Sequence, residues 1–244
     1  MKRQWIITQQ FVSCNNYQRI VDVLQKYIFG GRKGLLDARY DQMITHLNHN
    51  HTSWGPFCAC SQIITSKDVL LEVPINVFPN LSSFSNSCDL GHDLPYWIEV
   101  NEKEKGRIML VSQDPLRKNQ NPGVITLSTP FGMHSLDYRG NRLMTQLVEQ
   151  LLNCGYSVYL TDYHKLYFKT SHRPIVMGNE MDIINEEIAF FNPTKIVALG
   201  IVAGNALHAL QPTQPVKPLP HPNAWFAPPK GLSKLKYYLT NIIP

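Results

Sequence analysis

Arg107-Ile108-Met109-Leu110-Val111-Ser112-Gln113-Asp114-Pro115 is a short, unbroken apolar run that stops at polar residues and a proline. A strand wet on one face alternates in polarity, whereas one buried on both faces does not, so this run reads as a buried parallel strand leaving its sheet. Two further runs have the same shape: Ser157-Val158-Tyr159-Leu160-Thr161-Asp162 and Lys195-Ile196-Val197-Ala198-Leu199-Gly200. Between them, residues 141–153 and 181–191 carry apolar side chains at three- and four-residue steps, the spacing of a helix with one buried face. Strands alternating with helices predict a three-layer α/β sandwich around a central, mainly parallel four-stranded sheet. Sites in such sheets lie where the strands end, at their carboxyl edge.

Upstream of this unit the pattern is different. Residues 17–50 place Ile20, Val21, Val23, Leu24, Tyr27 and Ile28, then Leu35, Leu36, Tyr40, Met43, Ile44 and Leu47, at helical spacing, with Gly30-Gly31 between the two sets. Two helices are expected there. Residues 51–100 are rich in Ser, Asn, Pro and Cys and show no long period, which predicts an irregular insertion with a short strand at Val69–Val73. The chain therefore divides into a helical and irregular region, 1–105, and an α/β domain, 106–244. No internal repeat is visible.

With 244 residues, 43% of them hydrophobic, the chain can bury a substantial core, and disorder is excluded as its general state. A net charge of +5 leans towards polyanionic partners without requiring one. The opening Met1-Lys2-Arg3-Gln4-Trp5-Ile6-Ile7-Thr8 has too short an apolar stretch for a signal-peptide core. No window approaches the roughly 18 to 20 apolar residues of a membrane span, so a cytoplasmic protein that does not enter the membrane is expected, as a monomer.

Five cysteines (Cys14, Cys58, Cys60, Cys88, Cys154) are an odd, scattered set, which speaks against a disulfide framework and for small buried apolar residues. The sharper alternative is zinc, because His49, His51, Cys58, Cys60, Cys88 and His92 are competent ligands on a loop-rich segment. There is no Cys-x-x-Cys and no paired knuckle, and neither a metal nor any other cofactor is expected.

Each strand of the α/β unit leads into polar residues: Gln113-Asp114-Pro115, then Thr161-Asp162 with His164-Lys165, then Gly200, and further on His221-Pro222. Loops are polar by default, so one such cluster means little; four in order mean more. Over about residues 107 to 230, roughly half the chain, the sequence resembles the uracil-DNA glycosylase superfamily. Ser112-Gln113-Asp114-Pro115 is similar to that family's Gly-Gln-Asp-Pro-Tyr, and Val158-Tyr159-Leu160-Thr161-Asp162 with Lys165 is similar to its strand ending in Thr-Asn with a lysine shortly after. Residues 193–200 resemble its next strand, and His221-Pro222-Asn223 its His-Pro-Ser motif.

The resemblance implies hydrolysis of the bond between a base and deoxyribose in DNA. That cleavage leaves positive charge on the sugar and negative charge on the base, so a site needs an anion near the sugar and a donor facing the base. Asp114 suits the first role and can hold the attacking water. A neutral His221 suits the second, helped by backbone N–H groups around Gln113. The bland alternatives are a turn-starting Asp before Pro and an ordinary histidine in the proline-rich stretch Pro218 to Pro229. A flipped base also needs a ring to lie on, for which Phe131 is the candidate, with core packing as its alternative. Trp225 and Phe226 follow the His motif where family members push a wedge into the vacated stack. Phosphate contacts are expected from Arg117, Lys165, Ser128 and Asn223, with Lys118, Arg139, Arg142, Lys169, Lys230, Lys234 and Lys236 nearby and Thr129 as a further partner.

Two departures from the family pattern bear on the base. The family's tyrosine after Asp-Pro, which excludes a C5 methyl group, is Leu116 here, so a larger C5 substituent is admitted. The family's asparagine becomes Asp162, and an ionised carboxylate only accepts hydrogen bonds, which suits the amino group of cytosine better than a uracil carbonyl. A C5-modified cytosine, hydroxymethylated or glucosylated as in phage DNA, is the expected base. Uracil repair, a non-catalytic base-binding module and a hydrolase of free nucleosides are the alternatives. The branch of the family whose Thr-Asn strand is most similar carries a four-cysteine iron-sulfur cluster; the cysteines here do not reproduce its spacing, and no cluster is expected.

Overall fold

A computed structural model of the chain describes residues 14–30, 34, 36–38, 71–84, 90–100, 103–115, 123–132, 142–168 and 173–243. The central strand of the α/β unit is β4 (Gly106–Ser112), whose Ile108, Met109, Leu110 and Val111 are all buried. It runs parallel to β6 (Tyr156–Asp162) on one side and to β9 (Lys195–Leu199) on the other, and β9 in turn pairs in parallel with β10 (Val216–Leu219). The unbroken apolar run thus has the cause inferred for it: this strand has no wet face.

The sheet is mixed, not the four-stranded one expected. Beyond β6 lies a fifth, antiparallel edge strand, β3 (Tyr96–Ile98), giving the order β10-β9-β4-β6-β3. Tyr96, Trp97 and Ile98 are all buried, and the Trp97 ring packs against Tyr159, Phe190 and Phe191. A three-residue strand buried on both faces has neither period nor length to announce it.

A second mixed sheet corrects the reading of 51–100 as an irregular insertion. Its order is β1-β5-β2-β7-β8, from β1 (Leu71–Pro74), β5 (Val124–Ser128), β2 (Leu90–Asp93), β7 (Leu166–Phe168) and β8 (Arg173–Ile175). Strands from before residue 105 pair here with strands from after it: β1 and β2 flank β5, and β2 also pairs with β7.

The helices are α1 (Cys14–Leu24), α2 (Arg142–Asn153), α3 (Glu180–Phe191), α4 (Ile201–Leu210) and α5 (Lys234–Ile242). A π-turn, Gln25–Phe29, continues α1 to Gly30, whose φ of 64° ends it. Most of the second N-terminal helix falls outside the described residues. α3 stops at Asn192, left-handed at φ 50°, whose N–H caps the Ile188 carbonyl at 2.8 Å before Pro193 forbids another turn. α2 packs on β6 and on α5, while α4 packs on β9 and β10. Among the described residues no helix is long and apolar enough to cross a membrane.

One core residue is electrostatically misplaced. Glu149, inside α2, is 4% exposed, and its Oε1 has no hydrogen-bond partner among the described residues. Burial pushes its carboxyl up from 4.5 to about 7. The folded state therefore binds this proton more tightly than the unfolded chain does. The stability it confers is present at low pH and is lost as pH rises through about 7. Glu149→Gln is expected to raise stability at pH 8 by roughly 3 kcal/mol and to leave it almost unchanged only below the unfolded-state pKa, at about pH 3.5, read from thermal melts at the two pH values.

Candidate functional site

Parallel register brings four strand ends to one edge. Ser112 stands opposite Asp162, Val111 opposite Ala198, and Leu199 opposite Leu219. The residues that follow these ends (Gln113-Asp114, Tyr163-His164, Gly200 and Pro220-His221) are therefore neighbours although they span more than a hundred positions of sequence. Cross-links fix the edge. The Ser112 hydroxyl donates to Asp162 Oδ1, Tyr163 N–H to the Ser112 carbonyl at 2.9 Å, His164 N–H to the Gln113 carbonyl at 2.9 Å, and Gly200 N–H to the Leu219 carbonyl at 2.8 Å. Gly200 has φ 97°, a backbone conformation that side chains disfavour, and it turns the chain after β9 beside His221, where a Cβ would make ordinary contact with the His221 Cβ at 3.4 Å.

Phe131 reaches this edge from the other sheet, on the turn that follows β5. Its φ of 58° and ψ of 13° are left-handed for a residue with a side chain, a conformation that costs on the order of 1 kcal/mol and persists only where its surroundings impose it. The ring lies stacked on the His221 imidazole, with centroids 5.6 Å apart and planes inclined by 27°.

Burial pushes the His221 ring below its usual range, with Asp162 pulling weakly the other way, so the imidazole is neutral at neutral pH. The Asn223 N–H donates to His221 Nδ1 at 3.2 Å. A neutral ring that accepts at Nδ1 carries its proton on Nε2, which leaves Nε2–H as a donor. Asp114 is under the opposite stress. Burial pushes its carboxyl up; the Gln113 amide, donating to Oδ2 at 2.9 Å, pulls it down; the Asp162 charge pushes it up again and His164 pulls it down. The Tyr167 phenol on β7 is raised first by its own burial and then by the Asp114 charge. Asp162, 2% exposed, acts on both Asp114 and His221.

The fold thus brings together Gln113, Asp114, Phe131, Asp162 and His221. Asn223 is exposed and contributes its backbone N–H, and Trp225 is 94% exposed. The loop that carries Trp225 is pinned around it: Ala224 N–H donates to the His221 carbonyl, Lys234 Nζ donates to the Ala224 carbonyl at 3.2 Å and sits 4.7 Å over the Phe226 ring, and Tyr238 Oη donates to the Pro220 carbonyl at 2.6 Å. Ser128 ends β5 opposite Asp93. Leu116 and Arg117, with Lys118, Arg139 and Lys169, lie outside the described residues, as do His49, His51, Cys58, Cys60 and Cys88. Among the described residues no group of three His, Cys, Asp or Glu could hold a metal ion. His92 is buried, with Nδ1 2.6 Å from the Lys165 carbonyl.

Lys165 is a correction. Expected at phosphates, it is 1% exposed, with Nζ 2.9 Å from Glu187 Oε1, 3.0 Å from Glu187 Oε2 and 2.5 Å from Thr161 Oγ1. An ammonium so enclosed cannot meet a strand of DNA; it ties the turn after β6 to α3. Three residues were not among the expected site residues: His164, Tyr167 and Glu180. His164, two positions after Asp162 in a strand-end cluster, was within reach of sequence reasoning. Tyr167 and Glu180 were not, because strand β7 and the approach to α3 have no signature of their own. No protein-family model matches the chain, and no curated protein does.

Removing one member of a buried ion pair strands the other, a loss of roughly 3 to 5 kcal/mol, whereas apolar replacement of both is close to neutral. Lys165→Met should therefore lower the unfolding free energy by roughly that amount, and adding Glu187→Leu should recover most of it. Chemical denaturation of the two variants checks this.

Proposed function

We propose that this chain is a DNA glycosylase that hydrolyses the N-glycosidic bond of a flipped-out base, and that its base is a C5-modified cytosine. The observation that carries the reading is the hydrogen bond from Asn223 N–H to His221 Nδ1 at 3.2 Å, which leaves Nε2–H of a neutral ring as the donor on the same strand edge as Asp114. As the bond between C1′ and the base nitrogen breaks, its electron pair passes to the base. His221 Nε2–H donates to the base oxygen that becomes negative. The cationic sugar forms beside the Asp114 carboxylate, a water oxygen bonds to C1′, and Asp114 takes the proton that water releases. Phe131, stacked on His221, offers a face for the extruded base. Trp225, exposed on a pinned loop, is suited to fill the gap left in the duplex.

The resemblance to the uracil-DNA glycosylase superfamily supports the same reading. So does the strand order: β4, β6, β9 and β10 run parallel with β6 and β9 on either side of β4, and right-handed crossovers between them would set the connecting helices on opposite faces, as a three-layer sandwich requires. Asp162, held by Ser112 Oγ at Oδ1, is an acceptor suited to the amino group of cytosine, and the sequence has Leu116 where the resembling family has the tyrosine that excludes a C5 substituent. A base-binding module without catalysis is favoured by one observation: burial and Asp162 push Asp114 towards the neutral form, which cannot stabilise a cation.

Incubation with duplexes containing uracil, cytosine, 5-hydroxymethylcytosine or glucosylated hydroxymethylcytosine, scored for abasic sites, decides among these. Release of the modified cytosines is expected, lowered about 10²- to 10⁴-fold by Asp114→Asn and by His221→Ala. Release of uracil alone would overturn the substrate, and an undiminished rate in both variants would overturn the mechanism. The rate should fall on acidification, as the Asp114 carboxylate, raised by burial, takes up a proton and the neutral His221 ring gains one. Asp162→Asn should shift preference from cytosine towards uracil.

A further inference from the structure

His221 stands between two prolines, Pro220 and Pro222. Neither has an N–H, so neither can donate a hydrogen bond that would hold the turn in place. The turn is held through its carbonyls instead. The Leu219 carbonyl accepts from Gly200 N–H at 2.8 Å, the Pro220 carbonyl from Tyr238 Oη at 2.6 Å, the His221 carbonyl from Ala224 N–H at 2.9 Å, and the Ala224 carbonyl from Lys234 Nζ at 3.2 Å. Two of these donors are side chains of α5, and they grip the turn on either side of the histidine.

The spacing and anchorage of α5 suit it to this. Lys234 and Tyr238 are four residues apart, which puts them on one face of the helix, a turn from each other. Phe226, just beyond the turn, lies against the same part of the helix: its ring centroid is 5.4 Å from that of Tyr237 and 6.0 Å from that of Tyr238, with Lys234 Nζ 4.7 Å over it. α5 is itself tied at both ends. Ser233 Oγ accepts from Lys236 N–H at 3.2 Å at its start, and Lys195 Nζ, from the first residue of β9, donates to the Ile242 carbonyl at 2.5 Å at its end. The Tyr238 ring is fully buried, so it cannot touch DNA, and its two parts act separately: the ring fills the core, and the hydroxyl reaches the residue before His221.

We propose that Tyr238 is a positioning residue for His221, with Lys234 as its counterpart on the other side of the turn; the proposal rests on reading His221 as the donor to the departing base. Nε2–H meets an oxygen that turns negative only if the ring is fixed in direction. The ring is fixed by Asn223 N–H at Nδ1, a contact within the turn that lasts only while the turn keeps its shape.

The test is Y238F, which keeps the buried ring and removes the hydroxyl alone. Two NMR readouts follow the turn without any cleavage. The Asn223 and Ala224 amides, bonded to His221 Nδ1 and to its carbonyl, should exchange with solvent about fivefold faster or more, while the Tyr237 and Ile243 amides, bonded to carbonyls of Ser233 and Leu239, keep their rates. The ring nitrogens of His221 should move from the pattern of one Nε2–H form towards a mixture of the two neutral forms. In K234M the Ala224 amide should quicken in the same sense. A rise shared evenly by all amides is a loss of stability alone and overturns the proposal, as does an unmoved turn in folded Y238F; should that variant not fold, an unmoved turn in K234M does so. Where base is released, Y238F should lower kcat about fivefold or more with KM for the duplex unchanged, and an unaltered kcat beside a loosened turn also overturns the proposal. A protein that releases no base refutes the glycosylase reading and leaves both NMR readouts standing, whereas base release with an unmoved turn does the reverse.

Discussion

The parallel pairing of β4 with β6, which sets Ser112 opposite Asp162, is the constraint on which the rest of the site depends. The two strands are buried along their length, so a register slip of one residue would turn every side chain to the other face and break the core on both sides at once. That cost fixes where the strands end. Because the ends are fixed, the polar residues that follow them meet: the Ser112 hydroxyl reaches Asp162, and the next two N–H groups of the β6 turn reach back to the carbonyls of Ser112 and Gln113. A weakly specified edge would leave Asp114 on a loop; this one holds it against a turn that is itself held by the Lys165–Glu187 pair and by His92.

How much of this could be read from the sequence follows from what each element buries. β4, β6, β9, α2 and α3 were legible within one or two residues, because each buries a run or stripe long enough to show its period. Of the second sheet only β1 was, in part, as the short strand expected at Val69–Val73. Its strands are three to five residues long, and two come from a segment whose composition suggests loops. Their pairing is a tertiary fact: β2 lies between β5 and β7, far apart in the chain. Of the site, Asp114, Asp162 and His221 were legible as polar residues at strand ends. Lys165 was misread for a physical reason: a lysine after a strand is usually solvated, and nothing local shows that Glu187, 22 positions on, encloses it.

The second sheet also changes what kind of site this is. β5 leads to Phe131, stacked on His221, β7 carries Tyr167, whose phenol feels the Asp114 charge, and β2 brings His92 to the carbonyl of Lys165. A strand edge alone would present its polar residues to water, where neither the neutral histidine nor the stressed aspartate would be far from its ordinary behaviour. Burial from the adjoining sheet perturbs both, in opposite senses: it takes charge away from His221, which as a neutral donor has no use for one, and also from Asp114, whose proposed role requires it.

That asymmetry separates the reaction from the choice of base. For His221, desolvation and function point the same way, so no counter-charge is needed and the backbone N–H of Asn223 suffices to fix its tautomer. For Asp114 they conflict: burial raises its carboxyl, and the Gln113 amide, donating to Oδ2 at 2.9 Å, pulls it back. Asp162 adds to the conflict: a carboxylate there makes Asp114 harder to ionise than the neutral asparagine of the resembling family would. On the proposed reading, Asp162 answers to the base to be held and not to the cleavage, which it makes harder by disfavouring the Asp114 charge.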